Sequence, residues 1–169
     1  MSFEKKVLYV KGKNPKIADL ILETVQEHDL KTVVVGSNKG KSAIRLAESL
    51  GENSGVISIT EFTYRDELKK DMKKKNITFL EKVNLPIQDD RAMRETLLMF
   101  GSGVKAALEV ARIAVIHGLK DEKFITVAGA GQGLDTALLV DVNHPEGEMI
   151  TDPKKRMLVR EIIALRKYD

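Results

Sequence analysis

Thr32-Val-Val-Val-Gly36 runs directly into Ser37-Asn-Lys-Gly40-Lys41-Ser42-Ala43, and this stretch decides the expected fold. A continuous β-branched run is typical of a strand that is buried on both faces of a sheet. The polar turn behind it leads into a helix from Gly40 to Leu50, whose apolar residues fall on one face. A buried strand that runs through a short turn into an amphipathic helix indicates a parallel sheet covered by helices.

The same alternation continues on both sides of this stretch. Helices are predicted from Asn14-Pro15 onward, between the third and fourth strands, and from Arg91 to Leu119. The other predicted strands are Lys6–Val10, Val56–Thr60, Thr78–Val83, Phe124–Ala128 and Thr136–Val142. The sequence shows no linker or repeat, so residues 1–169 are expected to form a single α/β domain with helices on both faces of the sheet.

The sequence pattern alone does not decide the secondary structure of two segments. Gly101-Ser102-Gly103 interrupts the Arg91–Leu119 pattern, which is therefore either one long helix or two, and the glycines favour close packing over contact with a ligand. Met157 to Leu165 fits a helix or a strand equally well.

Composition excludes several classes of site. The chain has no cysteine, which excludes disulfides, zinc–thiolate sites and iron–sulfur clusters. It has no apolar run near the roughly 20 residues that span a bilayer and no secretory pattern at its start, so a cytoplasmic protein without membrane contact is expected. Basic runs at residues 67–75 and 154–156 indicate solvated surface, and nucleic acid is the weaker interpretation because only 5% of residues are aromatic.

The turn after the second strand is the strongest candidate for a binding site. The first N–H groups of a helix have no partner inside the helix, and the helix dipole favours an anion at that end. Hydroxyl and ammonium groups beside such a turn make a phosphate cradle, although an ordinary capped turn explains the local pattern equally well. The candidate phosphate-binding residues are Ser37, Asn38, Lys39, Gly40, Lys41 and Ser42.

A second glycine-rich loop follows the strand that ends at Ala128. Its spacing is G-x-G-x-G, which differs from the dinucleotide fingerprint, and it leads into a strand. Because both turns follow strands, both are expected at the carboxyl edge of the sheet, where ligands bind in such folds. The alternative is a tight connection in which Asp135 caps a turn. The candidate ligand-binding residues here are Gly129, Gly131, Gln132, Gly133, Asp135 and Thr136.

No set of residues identifies a catalytic site. Paired carboxylates and metal-ligand spacings are absent, and Ser42 has no evident histidine partner. His28 and His117 lie near predicted helix C-termini and are interpreted as structural or solvated, while His144 is expected in a surface turn.

At these two turns the chain resembles the pyruvate kinase C-terminal-domain-like superfamily, in particular its small stand-alone archaeal and bacterial members. The turn of that family reads Thr/Ser, two polar residues, Gly, a basic residue, Ser and Ala, which Ser37 to Ala43 match. In the stand-alone group, segments similar to Thr96–Lys105 and Gly129–Ala137 occur in the same order.

The resemblance implies a three-layer α/β/α fold with a mostly parallel sheet and an antiparallel edge, in which Met157 to Leu165 is a strand. It also implies a flavin mononucleotide (FMN) site, with the phosphate in the first turn and the flavin ring near the second. Relatives usually carry a His and a Gly-Phe pair after the third strand, whereas this chain has Thr60-Glu-Phe-Thr-Tyr64. A phosphate site can therefore persist with a different preference for the rest of the ligand.

The expected function is binding of FMN or another phosphorylated small molecule, with the reaction, if any, unspecified. The alternative is a non-catalytic sensor of a phosphorylated metabolite, and a nucleic-acid-binding protein ranks third. Self-association into a homo-oligomer is the remaining expectation about partners.

Overall fold

The computed structural model describes the backbone of residues 1–169 and every side chain except that of Lys154, so this member of the second basic run lies outside the described side chains. The strands are β1 (Leu8–Val10), β2 (Thr32–Gly36), β3 (Gly55–Ile59), β4 (Thr78–Leu80), β5 (Lys123–Ala128), β6 (Thr136–Asp141) and β7 (Leu158–Arg166). The helices are α1 (Lys16–Glu27), α2 (Lys41–Leu50), α3 (Asp66–Lys74), α4 (Pro86–Asp89), α5 (Arg91–Leu98) and α6 (Ser102–Ile116). Two 3-10 turns, Pro145–Met149 and Pro153–Lys155, precede β7.

The strands form one seven-stranded sheet in the order β1-β7-β6-β5-β2-β3-β4. Strands β5, β2, β3 and β4 are parallel neighbours, as are β1 and β7. Among the described strands, β6 alone runs against its neighbours, β5 and β7. The sheet is therefore mostly parallel, with its antiparallel pairings towards one edge, which confirms the predicted α/β class.

Alternation along the central strand separates two apolar layers. Val33 and Val35 of β2 point into a layer covered by α1, α2 and α3, whereas Val34 points into a layer covered by α6. All three side chains are fully buried. The continuous Val33–Val35 run thus reflects a strand with helices on both faces, as expected for a parallel sheet.

The predicted elements are confirmed in type, and most bounds differ by a few residues. The Arg91–Leu119 segment forms two helices, because Gly101 has a φ of +99° between α5 and α6. The Met157–Leu165 segment is the strand β7, and its pairing with β6 and β1 decides what the sequence pattern left open.

Gly103 lets the first turn of α6 pack closely against the start of β6. A side chain at this position would collide with the Thr136 hydroxyl and the Asp135 carboxylate. One turn further along, the buried Thr126 hydroxyl donates to the Ala107 carbonyl at 2.5 Å, which ties α6 to β5. The close packing proposed for this glycine therefore fixes where α6 begins relative to the sheet.

None of the helices in the described part of the chain has the length and apolar character required to cross a membrane.

Replacing Gly103 with alanine is expected to lower the free energy of unfolding by about 1–3 kcal/mol, because the added methyl group overpacks the contact with β6. Urea denaturation measures the loss. Gly55→Ala is the matched control, since the nearest atom there is the Lys31 carbonyl oxygen at 3.6 Å and its stability should barely change. A Gly103→Ala protein as stable as the Gly55→Ala protein would contradict the close contact.

Candidate functional site

A cavity of about 530 Å³ opens at the carboxyl ends of β2, β3 and β5. Both turns singled out in the sequence lie on its wall, which also includes residues of α6. The first turn contributes Ser37, Asn38, Lys39, Lys41 and Ser42, and the second contributes Gly129, Gly131 and Gly133. The parallel pairing of β2 with β5 brings these two turns together. This is the position at which open α/β sheets bind ligands.

The first turn of α2 has unpaired backbone donors beside the cavity. The N–H of Ile44 is bonded to the Gly40 carbonyl at 3.1 Å, which starts the regular helical pattern. Within the described part of the chain, the N–H groups of Lys41, Ser42 and Ala43 make no hydrogen bond to a residue before the helix or to a side chain. These donors and the positive end of the helix dipole favour an anion.

Tyr64 supports the turn Ser37–Ser42, which is called the phosphate-candidate turn from here on. Its side chain is 3% exposed, and its hydroxyl donates to the Ser37 carbonyl at 2.8 Å. The fully buried Ser58 hydroxyl lies 2.7 Å from the Tyr64 hydroxyl oxygen, to which it can donate. The Tyr64 backbone N–H donates to the Glu81 carboxylate, which lies 3.1 Å from the Lys69 ammonium. Residues after β3 therefore fix the shape of the turn after β2.

Gly40 shapes the turn that leads into α2. It adopts the left-handed conformation, with a φ of +71°, and its N–H donates to the Ser37 carbonyl at 3.3 Å. A side chain at this position would collide with Leu68 and Met72 of α3, and Gly40 is not on the cavity wall. The glycine is therefore required by its conformation and by the contact with α3, and an approach of its backbone to a ligand stays a prediction.

Three candidates from the second glycine loop also lie off the cavity wall. Gln132 is exposed, and the buried Asp135 and Thr136 pack beneath the loop. The Asp135 carboxylate accepts from the Ala130 N–H at 3.3 Å and from the Thr136 hydroxyl at 2.9 Å, and it lies 3.8 Å from the Arg166 guanidinium. Asp135 therefore shapes the loop, which agrees with the interpretation that it caps a turn.

Sequence reasoning missed the part of the wall that comes from α6 and from the segments after β3 and β4. Two of these residues, Lys105 and Glu109, are charged and lie one turn apart in a mostly apolar helix. That spacing was the available signal, because charged residues are rarely buried without a partner. The other wall residues from these three segments are Thr60, Glu61, Val83, Leu85, Ala106 and Val110.

Glu109 is 2% exposed, and both of its carboxylate oxygens are engaged. One accepts from the Ile87 N–H at 2.8 Å and the other from the Gln88 N–H at 2.9 Å. These are the amides of the first turn of α4, so Glu109 anchors the segment that closes this side of the cavity. Hydrogen bonds from amides to a carboxylate are strong, so the two contacts hold α4 against α6.

Polar residues outside the cavity pair with one another. The Lys75 ammonium lies 2.8 Å from the Glu48 carboxylate, which neutralises one cation of the first basic run. His28 lies 3.1 Å from the Glu161 carboxylate, and His144 accepts from the Glu146 N–H at 3.3 Å. None of these groups lines the cavity.

Comparison with known proteins adds little to this geometry. No family model matches the chain. A structure of Cryptosporidium parvum pyruvate kinase in complex with ADP is similar over 73% of this chain, at 17% identity and a TM-score of 0.40. The chain covers 22% of the length of that enzyme. This is a loose likeness to part of a pyruvate kinase.

Tyr64→Phe is expected to lower the free energy of unfolding by about 1–3 kcal/mol, because the Ser37 carbonyl and the Ser58 hydroxyl lose a buried partner. Chemical denaturation measures the change. Tyr9→Phe is the control, since Tyr9 is 61% exposed and its stability should stay within error of the parent protein. Equal stability of the two variants would show that the Tyr64 hydroxyl does not hold the turn.

The raised pKa of the same tyrosine predicts that the free energy of unfolding changes with pH in the alkaline range. Burial raises the pKa of Tyr64 to about 12, whereas an unfolded chain ionises its tyrosines near a pKa of about 10. The unfolded state therefore releases the proton first, and the contribution of Tyr64 to stability is constant below about pH 10 and is lost as the pH rises towards 12. The stability difference between the parent protein and Tyr64→Phe should narrow across this window, as denaturation from pH 8 to pH 11.5 would show. Parallel pH profiles would contradict the burial of this phenol.

Proposed function

We propose that this protein binds a phosphorylated small molecule in the cavity at the carboxyl edge of the sheet, with the phosphate at the front of α2. The unpaired N–H groups of Lys41, Ser42 and Ala43 are the observation that carries the proposal. The Lys39 and Lys41 ammonium groups add positive charge at the same end of the cavity. Backbone donors, a helix dipole and flexible cations together suit a dianion better than a singly charged or neutral group.

The rest of the cavity suits an apolar or flat molecular body. Apolar side chains line it, mainly from the layer covered by α6, and its volume lies within the range of pockets that hold small ligands and cofactors. Bare backbone at Gly131, where no atom lies within 4 Å of an added side chain, offers a surface on which a ring can stack. The apolar wall consists of Ile59, Val83, Leu85, Ala106, Val110, Ala128 and Leu134.

FMN is the specific candidate, on the strength of the family resemblance together with this combination of a phosphate end and an apolar body. The cavity differs from the family pattern where Thr60 and Glu61 line it in place of a His and a Gly-Phe pair. Another phosphorylated compound with a planar body is the alternative ligand. The proposal takes the protein to act in the cytoplasm, where phosphorylated metabolites are abundant.

A ligand sensor is the second candidate function, and the hydrogen bonding of Glu109 favours it. This buried carboxylate would be a natural general base, but both of its oxygens are bound to backbone amides. Turnover that yields more than one product per protein chain would exclude a purely sensory role.

Ser42→Asp is expected to weaken binding of inorganic phosphate by about tenfold or more, because it places a carboxylate where the phosphate binds. An acidic residue in the first turn of a helix is favourable, so the melting temperature should not fall. Isothermal titration calorimetry measures the affinity. Asn14→Asp adds the same charge at the front of α1, where Asn14 already accepts from the Lys16 N–H, and should leave phosphate binding unchanged.

Unchanged phosphate affinity in Ser42→Asp would show that the cradle is misplaced. FMN is tested separately by titration with its visible absorbance. A parent protein that binds inorganic phosphate but not FMN would retain the cradle and exclude the flavin.

A further inference from the structure

Lys105 lies on the cavity wall contributed by α6, whereas the phosphate-candidate turn belongs to α2. Its side chain is half-buried, and the neighbouring Ala106 and Val110 give this part of the wall an apolar surface. Lys105 therefore presents a cation in surroundings that are less hydrated than the protein surface.

The Lys105 ammonium has a neutral partner. Its Nζ atom lies 2.5 Å from the Gln88 side-chain oxygen, and among the described side chains no carboxylate lies within ion-pair distance of it. Lys69, which is also half-buried, differs because it pairs with Glu81 at 3.1 Å. The two acidic residues that line the cavity do not neutralise Lys105, because Glu109 is bound to backbone amides and Glu61 makes no ion pair with it.

The partner of Lys105 is itself held in place. The Gln88 N–H donates to Glu109 at 2.9 Å, and the Gln88 carbonyl accepts from the Arg94 guanidinium at 2.6 Å. Because its backbone is fixed on both sides, the Gln88 side chain can hold the ammonium in one position. Glu109 thus acts on the cavity through Gln88, as a positioning residue for Lys105.

An ammonium group has three N–H donors, and the Gln88 amide uses one of them. Partial burial of a cation without a counter-ion carries a desolvation cost, which an anion or a strong acceptor in the cavity would offset. The chain keeps this cation apart from its own carboxylates, so the acceptor is expected to come from the ligand.

We infer that Lys105 binds a second polar group of the ligand, a carboxylate or a carbonyl oxygen at the end remote from the phosphate. This inference rests on the proposed function, because it takes the phosphate to be anchored at α2. If Lys105 has this role, the ligand belongs to the class of phosphate esters that carry an apolar body and, beyond that body, an oxygen acceptor.

Three probes separate the two ends of the site: inorganic phosphate, phenyl phosphate and 4-carboxyphenyl phosphate. The last two differ only in the carboxylate. The parent protein is expected to bind 4-carboxyphenyl phosphate about tenfold more tightly than phenyl phosphate, as a charge-assisted hydrogen bond at a half-buried site provides. Lys105→Met should abolish this preference and leave the affinities for the other two probes within about twofold.

Two further variants complete the experiment. Lys105→Arg keeps the charge and should retain part of the preference. Lys120→Met makes the same chemical change at an exposed lysine beyond α6 and should behave as the parent protein does. Melting temperatures confirm that each variant is folded.

The outcomes are distinguishable. A preference that survives in Lys105→Met, or that is absent from a parent protein that binds inorganic phosphate, would overturn the role of Lys105 alone. Failure of the parent protein to bind any of the three probes would overturn the proposed function and, with it, this inference.

Discussion

The parallel pairing of β2 with β5 is the constraint on which the rest of the structure depends. Val33, Val34 and Val35 lie opposite Ile125, Thr126 and Val127, so the two strands end side by side at the same edge. From there the chain leaves in opposite directions, through α2 towards β3 and through the glycine loop towards β6. Divergence of the two connections leaves a gap above the strand ends, and the cavity occupies that gap.

Buried polar side chains keep the walls of this gap in shape. Tyr64 binds the Ser37 carbonyl, Glu109 binds the amides of α4, and Asp135 binds the Ala130 amide of the glycine loop. In each case a side chain binds a backbone group of a turn, a loop or the first turn of a helix, outside the regular hydrogen bonds of a strand or helix. Burial without such a partner is costly, so these contacts hold the loops in defined positions. The side chains that remain available to a ligand are mainly hydroxyl groups and lysines.

The central part of this arrangement could be predicted from sequence, because it follows from local pattern and one topological rule. The β-branched run of β2 identified a buried strand, and the rule that parallel strands end at one edge brought Ser37 and Gly129 to the same cavity. Features that depend on contacts between distant elements could not be predicted. Local sequence does not reveal that Gly40 faces Met72, nor that Met157–Leu165 finds two strand partners. The binding roles assigned to Asp135 and Thr136 stay predictions, and local sequence does not reveal that Gly103 of a distant helix packs against both side chains.

The engagement of Glu109 limits the chemistry that the chain itself can supply in the cavity. Both oxygens of this carboxylate already accept a backbone amide hydrogen bond, so neither is directed at a ligand. The Lys105 ammonium is a hydrogen-bond donor, which can stabilise negative charge that develops on a ligand oxygen. Under the proposed function, proton abstraction would fall to Glu61 or to the ligand, whereas Lys105 of α6 would stabilise negative charge. Such a site would bind and polarise a ligand that brings its own reactivity, and the same polarisation without turnover is what a sensor requires.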